Sequence, residues 1–450
     1  MNAPTPPTRR DTSTVCFLTF GCQMNQLDSE LAAGEFWRHG ITLTSDASRA
    51  GTVVLNTCSV RRHAEERARS NLGRFKRAKQ EHPELVLAVM GCMAQKEGSE
   101  LLRAYPYLDI VCGTKQFARL PQLVERARSA GERIAVTDDA PVVIDRVPAV
   151  RPDRYRAFVS ILRGCNAFCS YCIVPYVRGR EASRPPDEVK GEVRALVEAG
   201  CREIVLLGQN VDAYRHEDTD LAGLLRALDP LPGLERLRFI TSHPKDVSRR
   251  LLEAMAELPS VCEHLHMPAQ SGSTAVLRAM RRGYTAERYR EIVASARRIV
   301  RDVEIASDFI VGFPGETEAD FAATVSLVRD CGFSQAFIFK YSPREGTRAA
   351  KLEDDVPQRV KAERNRILLG VQAEVSGAQN AAKVGRTVEV LVEGPSKRDR
   401  SRLAGRTRGN AIVVFPAPAD AVPAPGALVT VRVTDSTPLT LVGELSDSPR

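Results

Sequence analysis

The alternation of short apolar runs with helical patterns limits the possible folds of this chain most strongly. From Val15 to about Ala130, β-like runs alternate with helical patterns, and a second alternation covers about residues 157–341. Such alternation predicts parallel sheets with helices packed on their faces. We therefore expect an α/β protein with a doubly wound parallel sheet in the amino-terminal part and a partial or full (β/α) barrel in the centre.

The first alternation contains four predicted strands and four predicted helices. The strands are 15–20, 52–58, 85–92 and 108–113, and the helices are 25–38, 61–80, 93–104 and 116–129. The second alternation contains six predicted strands, at 157–162, 203–208, 236–241, 263–267, 303–312 and 334–341. Helical patterns lie between them at 186–199, 247–257, 273–282, 286–300 and 316–330.

The chain also contains one predicted linker and one predicted tail module. Residues 138–152 carry three prolines and show no helical period, which is typical of a linker. After a charged helical stretch at 357–382, short alternating runs bounded by Gly, Pro and Asn predict a small antiparallel β-barrel of about 65 residues. We place the domains at 14–132, 153–380 and 381–446, with the linker at 133–152.

Composition excludes several classes of protein. Hydrophobic residues make up 43% of the 450-residue chain, yet no uncharged apolar stretch is long enough to span a membrane. The first ten residues, MNAPTPPTRR, lack the apolar segment of a secretory signal. We therefore expect a cytoplasmic protein without a membrane span, in which the 11 cysteines are core residues, metal ligands or catalytic thiols rather than disulfides.

Cys165, Cys169 and Cys172 form a C-x3-C-x2-C motif directly after the first strand of the second alternation. A structural zinc site needs four Cys or His ligands, and the next candidates, Cys201 and His216, lie far along the chain. Three thiolates on a cubane of four irons leave one iron without a protein ligand, where a reactant can bind. The spacing favours an iron–sulfur cluster, with zinc or simple packing as the alternatives.

Cys22, Cys58 and Cys92 each follow a predicted strand of the first alternation. The carboxyl ends of parallel strands face one crevice, so these three thiols can converge although 36 and 34 residues separate them. The alternative is that they are small buried hydrophobic residues, which is the usual role of a free cysteine. We expect that role for the remaining five, which are Cys16, Cys112, Cys201, Cys262 and Cys331.

The C-x3-C-x2-C motif, with the aromatic Tyr171 before its last cysteine, resembles the cluster loop of the radical S-adenosylmethionine superfamily. The resemblance implies that the open iron chelates the amino and carboxylate groups of the cofactor. One electron from the cluster then cleaves the sulfonium and produces a 5′-deoxyadenosyl radical.

Further motifs are similar to those of the radical S-adenosylmethionine methylthiotransferase family, from about residue 14 to residue 446. They are TFGCQMNQLDSE, NTCSVR, GCMAQ, LGQNVDAY, TSHP, MPAQSGS, LRAMRRGYT, DFIVGFPGETE and YSPREGTRAA. In that family Cys22, Cys58 and Cys92 would hold an auxiliary 4Fe-4S cluster. One departure is Ala167, where relatives often carry a polar residue, and this position is not a ligand.

The resemblance implies methylthiolation of carbon 2 of N(6)-isopentenyladenosine at position 37 of tRNA, next to the anticodon. MPAQSGS, LRAMRRGYT and GRTRGN favour this substrate over a ribosomal protein. The second cluster would deliver sulfur, and a second S-adenosylmethionine would supply the methyl group. The partners implied are the tRNA anticodon stem-loop and an electron donor such as flavodoxin or ferredoxin, with a monomer as the default. The alternatives are methylthiolation of threonylcarbamoyl adenosine in tRNA and a non-catalytic zinc-binding RNA-binding protein.

Contacts to the cofactor are expected where strands end at the mouth of the central barrel. Gly208 would allow close backbone approach, and Gln209 could hydrogen-bond the methionine portion. Gly312 could line the adenine side, and Tyr171 lies inside the cluster loop. The alternative for the glycines is a tight βα turn.

Positive charge is concentrated in the tail module. Residues 383–415 hold eight basic and three acidic residues, a net charge of +5 out of +8 for the whole chain. Basic runs are often solvated loops, but this run resembles part of a TRAM domain, an RNA-binding module. The candidate RNA-binding residues are Lys397, Arg398, Arg400, Arg402, Arg406 and Arg408. His264 and His266 alternate on a predicted strand and are expected to pack rather than bind metal.

Overall fold

The computed structural model describes residues 10–60, 62–140, 151, 153–418 and 421–446. The chain forms two compact units. The first contains residues up to 152 together with 163–166 and 172–181, and the second contains the rest. Most of the predicted linker, residues 141–150 and 152, lies outside the described residues.

The first unit is built on a six-stranded sheet in which every neighbouring pair is parallel. Its strand order is β2-β1-β3-β4-β5-β6, and the order reverses between β1 and β3 as in doubly wound sheets. This confirms the predicted fold class. The strands are β1 Asp11–Phe20, β2 Thr42–Leu43, β3 Ala50–Thr57, β4 Val86–Gly91, β5 Ile110–Cys112 and β6 Ile134–Val136.

Helices of the first unit follow its strands closely. The predicted helix 93–104 is divided into two, because Gly98 takes a φ of +52° that a continuing helix cannot accommodate. A 3-10 turn, Phe117–Arg119, begins the last predicted helix. The helices are α1 Gln23–Arg38, α2 Arg62–Glu81, α3 Cys92–Glu97, α4 Ser99–Ala104, α5 Leu120–Ala130 and α6 Val174–Arg178.

The second unit contains the six predicted parallel strands in two groups of three. Their orders are β13-β10-β7 and β14-β15-β16, and a parallel bridge between Leu237 and Val261 extends the first group toward the second. The six strands are β7 Arg156–Ser160, β10 Glu203–Leu207, β13 Arg236–Ile240, β14 His264–His266, β15 Glu304–Val311 and β16 Gln335–Lys340. Short two-stranded pieces are β8 Leu162–Arg163, β9 Ala182–Ser183, β11 Arg215–His216 and β12 Thr219–Asp220.

Alternate strand residues of the second unit pack against its helices. Ala157, Ile204, Leu237 and Ile305 belong to one buried apolar cluster, and their neighbours along each strand therefore face the other side of the sheet. The predicted helix 273–282 ends early, because Arg281 adopts a φ of +58°. The helices are α7 Pro186–Glu198, α8 Leu221–Leu228, α9 Arg249–Glu257, α10 Thr274–Ala279, α11 Ala286–Ile299, α12 Glu318–Cys331 and α13 Gln358–Ala381. Short 3-10 turns occur at Val211–Ala213 and Ala349–Lys351.

The tail module is a closed five-stranded barrel in the order β17-β18-β19-β21-β20. Sequence analysis predicted four of its strands, and the fifth, β21, closes the barrel by pairing with β19 and β20. The strands are β17 Thr387–Pro395, β18 Arg402–Thr407, β19 Ile412–Pro416, β20 Leu428–Ser436 and β21 Thr440–Leu445. Within the described ranges, no helix is long and apolar enough to cross a membrane.

Candidate active site

Three cysteines lie at the carboxyl ends of adjacent strands in the first unit. Cys22 follows β1 and precedes α1, Cys58 follows β3, and Cys92 begins α3 after β4. Because β1, β3 and β4 are parallel neighbours, these ends share one edge of the sheet. The convergence predicted for the three residues is found.

The three thiols interact with one another. A hydrogen bond between Cys22 and Cys58 lowers the pKa of the Cys22 thiol and raises the pKa of the Cys58 thiol. Burial raises the pKa of Cys92, and the positive charge of Arg178 partly opposes that effect. Cys58 and Cys92 are each 1% exposed, so their side chains contact protein rather than solvent.

Two asparagines link the first turn of α1 to the end of β3. Asn25 Nδ2 donates to Asn56 Oδ1 at 2.8 Å, and Asn56 Nδ2 donates to the Asn25 carbonyl at 2.8 Å. A Cβ atom at Gly21 would lie 2.9 Å from Cys58 Cβ, and one at Gly91 would lie 2.4 Å from Asn56 Oδ1. Close packing at Cys58 therefore requires a glycine at position 21, and close packing at Asn56 requires one at position 91.

A buried charged group adjoins the same thiols. Asp28, 1% exposed, accepts from Arg178 at 3.0 Å and forms an ion pair with Arg163 at 2.9 Å. Although burial lowers the pKa of Arg178, the charges of Cys92, Asp28 and Cys22 raise it overall. Two guanidinium groups against one carboxylate leave a net positive charge, which favours the thiolate form of a nearby cysteine.

The thiols of Cys22, Cys58 and Cys92 suit an iron–sulfur cluster better than a single metal ion. Across the described residues, no three Cys, His, Asp or Glu side chains are arranged to hold one metal ion. In a cubane each thiolate binds its own iron atom, so the ligands need not meet at one point. Three interacting thiols beside a positive charge therefore fit the donor chemistry of an iron–sulfur cluster.

The C-x3-C-x2-C loop begins with a tight backbone approach. Gly164 has a φ of +80°, and a Cβ atom there would lie 2.0 Å from the Arg180 carbonyl oxygen. The Cys165 amide donates to the Gly179 carbonyl at 3.1 Å. Asn166 adds two hydrogen bonds to the Glu181 carboxylate, at 2.9 Å from its amide and 3.2 Å from Nδ2.

Replacing Gly164 by alanine should lower the free energy of unfolding by about 3 kcal/mol. The left-handed conformation costs an L-residue about 1–2 kcal/mol, and overlap with backbone atoms adds about 1–3 kcal/mol. Urea unfolding of the metal-free chain measures the change. Gly191→Ala is the matched control, since it lies in α7 with no atom near the added Cβ and should be neutral or stabilising. Equal stability of the two variants would contradict the prediction.

The middle of the loop, residues 167–171, belongs to the second unit. Ser170 donates from its amide to the Met280 carbonyl at 2.9 Å and accepts from the Ala349 amide at 2.7 Å. Tyr171 packs against a small buried apolar cluster that includes Phe313 and Tyr341. Cys169 is 7% exposed and accepts a hydrogen bond from the Arg282 guanidinium.

The residues predicted to touch the cofactor differ in their surroundings. Gly208 is buried directly after β10, and a Cβ atom there would lie 3.1 Å from Val211 Cγ1. Gln209 follows it and is partly exposed. Gly312 has a packing explanation, because a Cβ atom would lie 2.3 Å from Lys361 Cγ, and its amide donates to Glu316 at 2.6 Å. Since that amide is engaged within the protein, a cofactor contact at Gly312 would have to use other atoms.

Three protein families match parts of the chain. Residues 14–113 match the uncharacterised protein family UPF0004, residues 159–328 the radical SAM superfamily and residues 381–446 the TRAM domain. The tRNA-2-methylthio-N(6)-dimethylallyladenosine synthase of Moorella thermoacetica is 44% identical over 440 residues, covering 96% of this chain and 98% of that protein. The synthases of Clostridium novyi and Rhodopirellula baltica are 45% and 43% identical, each covering at least 95% of both chains.

The chain belongs to the tRNA-2-methylthio-N(6)-dimethylallyladenosine synthase family. The resemblance to methylthiotransferases is thereby confirmed. Among solved structures, the radical S-adenosylmethionine methyltransferase TsrM from Kitasatospora setae is similar, with a TM-score of 0.53, 14% identity and 73% of each chain covered. The cobalamin-dependent enzyme OxsB gives a TM-score of 0.52 at 11% identity, covering 81% of this chain and 56% of that one. At these identities the likeness concerns the fold.

In this member of the synthase family, the tail barrel contacts the amino-terminal ends of the core strands. Arg236, the first residue of β13 and fully buried, pairs with Glu389 at 3.0 Å. Arg238 donates to the Thr407 carbonyl at 2.7 Å and pairs with Glu203 at 2.5 Å. These contacts are not predicted by the sequence pattern. Gly208 and Gly312 follow the carboxyl ends of β10 and β15. The tail barrel and these glycines therefore lie at different ends of the core strands.

The candidate RNA-binding cations of the synthase fall into two groups. Arg406 pairs with Glu393 at 3.1 Å, and Arg408 pairs with Glu263 at 2.8 Å, so both guanidinium groups are engaged within the unit. Lys397, Arg398 and Arg400 are exposed in the loop between β17 and β18, and Arg402, at the start of β18, is partly buried. Sequence analysis did not separate the two groups.

Proposed function

We propose that the chain methylthiolates carbon 2 of N(6)-dimethylallyladenosine, also called N(6)-isopentenyladenosine, at position 37 of tRNA. The observation that carries this proposal is identity of 42–45% to synthases of that name over almost the whole of both chains. The enzyme is a transferase that uses S-adenosylmethionine. These relatives are named for dimethylallyladenosine rather than for threonylcarbamoyl adenosine, and the radical SAM match disfavours a non-catalytic zinc protein.

The substrate explains why the chain needs iron–sulfur chemistry. Carbon 2 of adenine carries a C–H bond without acidic character, so side-chain acids and bases cannot activate it. We propose that Cys165, Cys169 and Cys172 hold one 4Fe-4S cluster and that Cys22, Cys58 and Cys92 hold a second. When bound, these groups supply one-electron chemistry and sulfur.

The side chains of the first unit prepare the second of these sites. Burial of Cys58 and Cys92 keeps water away from the ligands, and Arg178 and Arg163 supply positive charge beside them. Asp28 fixes both arginines, which keeps their charges at a defined place. Together with the Cys58 hydrogen bond, the Arg178 charge favours the thiolate form of Cys22, and it partly offsets the burial that raises the pKa of Cys92.

We propose that the exposed cations Lys397, Arg398 and Arg400 contact the phosphates of the anticodon stem-loop. A strand of five residues such as β10 spans about 16 Å, so the tail barrel and the carboxyl ends of the core strands are well separated. An extended RNA can contact both places, whereas a single nucleoside cannot. We further propose that the protein acts as a monomer in the cytoplasm, where tRNA is used. Its electron donor would be a flavodoxin or a ferredoxin.

Replacing Lys397, Arg398 and Arg400 together by glutamine should weaken binding of the anticodon stem-loop and reduce its salt dependence. Removing one phosphate contact lowers the slope of log K against log salt concentration by about 0.7 for single strands, so removing three lowers it by about 2. Fluorescence anisotropy at several salt concentrations measures the slope.

A triple variant of Lys351, Arg359 and Arg366 is the matched control, because it removes three exposed cations outside the tail barrel. It should keep the slope of the unsubstituted protein. An equal reduction of the slope in both triple variants would indicate binding by net charge alone and would contradict the assignment of the loop.

Mass spectrometry of tRNA nucleosides tests the function directly. The anaerobically reconstituted protein, given S-adenosylmethionine, sulfide and a reductant, should add a methylthio group to N(6)-isopentenyladenosine in tRNA. Methylthio product only on threonylcarbamoyl adenosine would transfer the proposal to that substrate. Zinc in place of iron and acid-labile sulfide would overturn radical chemistry altogether.

A further inference from the structure

Arg282 is a buried arginine in the turn that follows α10. It is 6% exposed, while its neighbours Arg281 and Gly283 are exposed and have φ values of +58° and +73°. Two left-handed residues around it turn the chain so that the Arg282 side chain enters the interior. The strained backbone at Arg281 thereby places one guanidinium group.

All three nitrogens of this guanidinium have a defined partner. Nε donates to the Tyr284 hydroxyl at 3.0 Å, and Nη2 donates to the Pro268 carbonyl at 3.0 Å. Nη1 donates to Cys169 Sγ at 3.3 Å. The Tyr284 hydroxyl in turn donates to the Ala269 carbonyl at 2.9 Å, which fixes the tyrosine. Two neutral oxygens therefore orient the guanidinium so that its remaining nitrogen meets sulfur.

The surroundings of Arg282 differ from those of most other buried arginines. Four of these pair with a carboxylate at 2.5–3.0 Å: Arg178 with Asp28, Arg236 with Glu389, Arg238 with Glu203 and Arg364 with Glu316. Among the described residues, no Asp or Glu forms an ion pair with Arg282. Burying a guanidinium without an anion is unfavourable, so the site is suited to a negatively charged sulfur at Cys169.

We propose that Arg282 is a positioning residue that raises the reduction potential of the iron–sulfur cluster held by Cys169. The inference rests on the proposed function, because it requires Cys169 to be a cluster ligand. A positive charge and an N–H···S hydrogen bond at a ligand sulfur stabilise the form that carries one more electron. Arg282 would therefore help the one-electron transfer from a low-potential donor, in which the donor is oxidised and the cluster is reduced.

The test is a redox titration of the anaerobically reconstituted full chain, followed by electron paramagnetic resonance. Arg282→Gln should reduce the ratio of reduced to oxidised cluster at a fixed potential about tenfold, which corresponds to about 59 mV for one electron. Arg282→Lys keeps the charge and N–H donors and should restore most of the ratio. The signal of the auxiliary cluster is subtracted using a variant in which Cys165, Cys169 and Cys172 are alanine.

Tyr284→Phe is the matched control for packing. It removes one of the two oxygens that orient Arg282 but leaves the guanidinium charge and its bond to the Pro268 carbonyl, so it should lower thermal stability and shift the reduction potential far less than Arg282→Gln does. The inference would be overturned if Arg282→Gln kept the reduction potential of the unsubstituted protein. It would also be overturned if Arg282→Lys lowered the potential as far as Arg282→Gln does. Failure of the unsubstituted chain to bind a cluster at Cys169 would instead overturn the proposed function.

If Arg282→Gln does not retain iron, a second measurement tests the hydrogen bond between Arg282 and the ligand sulfur. In protein labelled with ¹⁵N-arginine, pulsed electron paramagnetic resonance of the reduced cluster should show coupling to a guanidinium nitrogen. The coupling should be absent in Arg282→Lys, which has no arginine at that position. Absence of the coupling in the unsubstituted protein would show that Arg282 does not bond the ligand sulfur.

Discussion

Replacing Cys165, Cys169 and Cys172 together by alanine should abolish reductive cleavage of S-adenosylmethionine. The three thiols lie on one loop, and cofactor activation is proposed to depend on the cluster that they hold. Iron should fall from about eight to about four atoms per chain, because one cubane of four irons no longer binds. Liquid chromatography of 5′-deoxyadenosine and a colorimetric iron assay measure the two effects.

Cys201→Ala is the control for this variant. Cys201 is 1% exposed and belongs to the apolar core of the second unit, so its loss should leave both clusters in place. Iron content and cofactor cleavage should then match those of the unsubstituted protein. Retained cleavage in the triple variant would remove the basis for assigning the radical-generating site to this loop.

The fold could be predicted because hydrophobic periodicity is a local property of the sequence. Val86–Gly91 is a uniformly buried apolar run, and Glu203–Leu207 is buried throughout and apolar after its first residue, as strands of parallel sheets usually are. The misplaced boundaries have local causes that periodicity does not reveal. Gly98 divides one helix, and the left-handed Arg281 ends another, although both positions fit the helical pattern.

Spacing marked Cys165, Cys169 and Cys172 as candidate ligands, and positions after strands showed that Cys22, Cys58 and Cys92 could converge, while the family resemblance favoured a second cluster over packing. Their polar neighbours could not be predicted. Arg178 lies 150 positions from Asp28, and Arg282 lies 113 positions from Cys169, so only the fold brings each pair together. Asn25 and Asn56 each lie within a quoted motif, but 31 positions separate them, and the motifs do not show that the two side chains bond to each other.

Net charge does not distinguish paired from exposed cations within the tail module. All of its basic residues contribute equally to the sequence total of +5, but Arg406, Arg408 and Lys383 are paired with Glu393, Glu263 and Glu304. Glu263 and Glu304 lie outside residues 383–415, so the total of +5 does not include their charges. Lys397, Arg398 and Arg400 in the loop between β17 and β18 are exposed, as is Arg386 before β17, so the exposed charge is a subset of the local total.

Replacing Cys22, Cys58 and Cys92 together by alanine should separate cofactor cleavage from product formation. The first unit would lose its cluster, while the C-x3-C-x2-C loop keeps all three cysteines. We expect about four irons per chain and continued production of 5′-deoxyadenosine, with methylthiolated tRNA falling to the background level. The radical would still form, but no sulfur would be available to combine with carbon 2. Mass spectrometry of nucleosides and chromatography of 5′-deoxyadenosine on the same reaction measure the ratio.

Cys16→Ala provides the matched control, because Cys16 lies in the interior of β1 with its side chain 2% exposed. It should cost some stability through weaker packing and leave the ratio of product to 5′-deoxyadenosine unchanged. Methylthiolated tRNA from the triple variant would show that sulfur reaches carbon 2 by another route. Loss of 5′-deoxyadenosine together with the product would show instead that the two sets of cysteines depend on each other for cofactor cleavage.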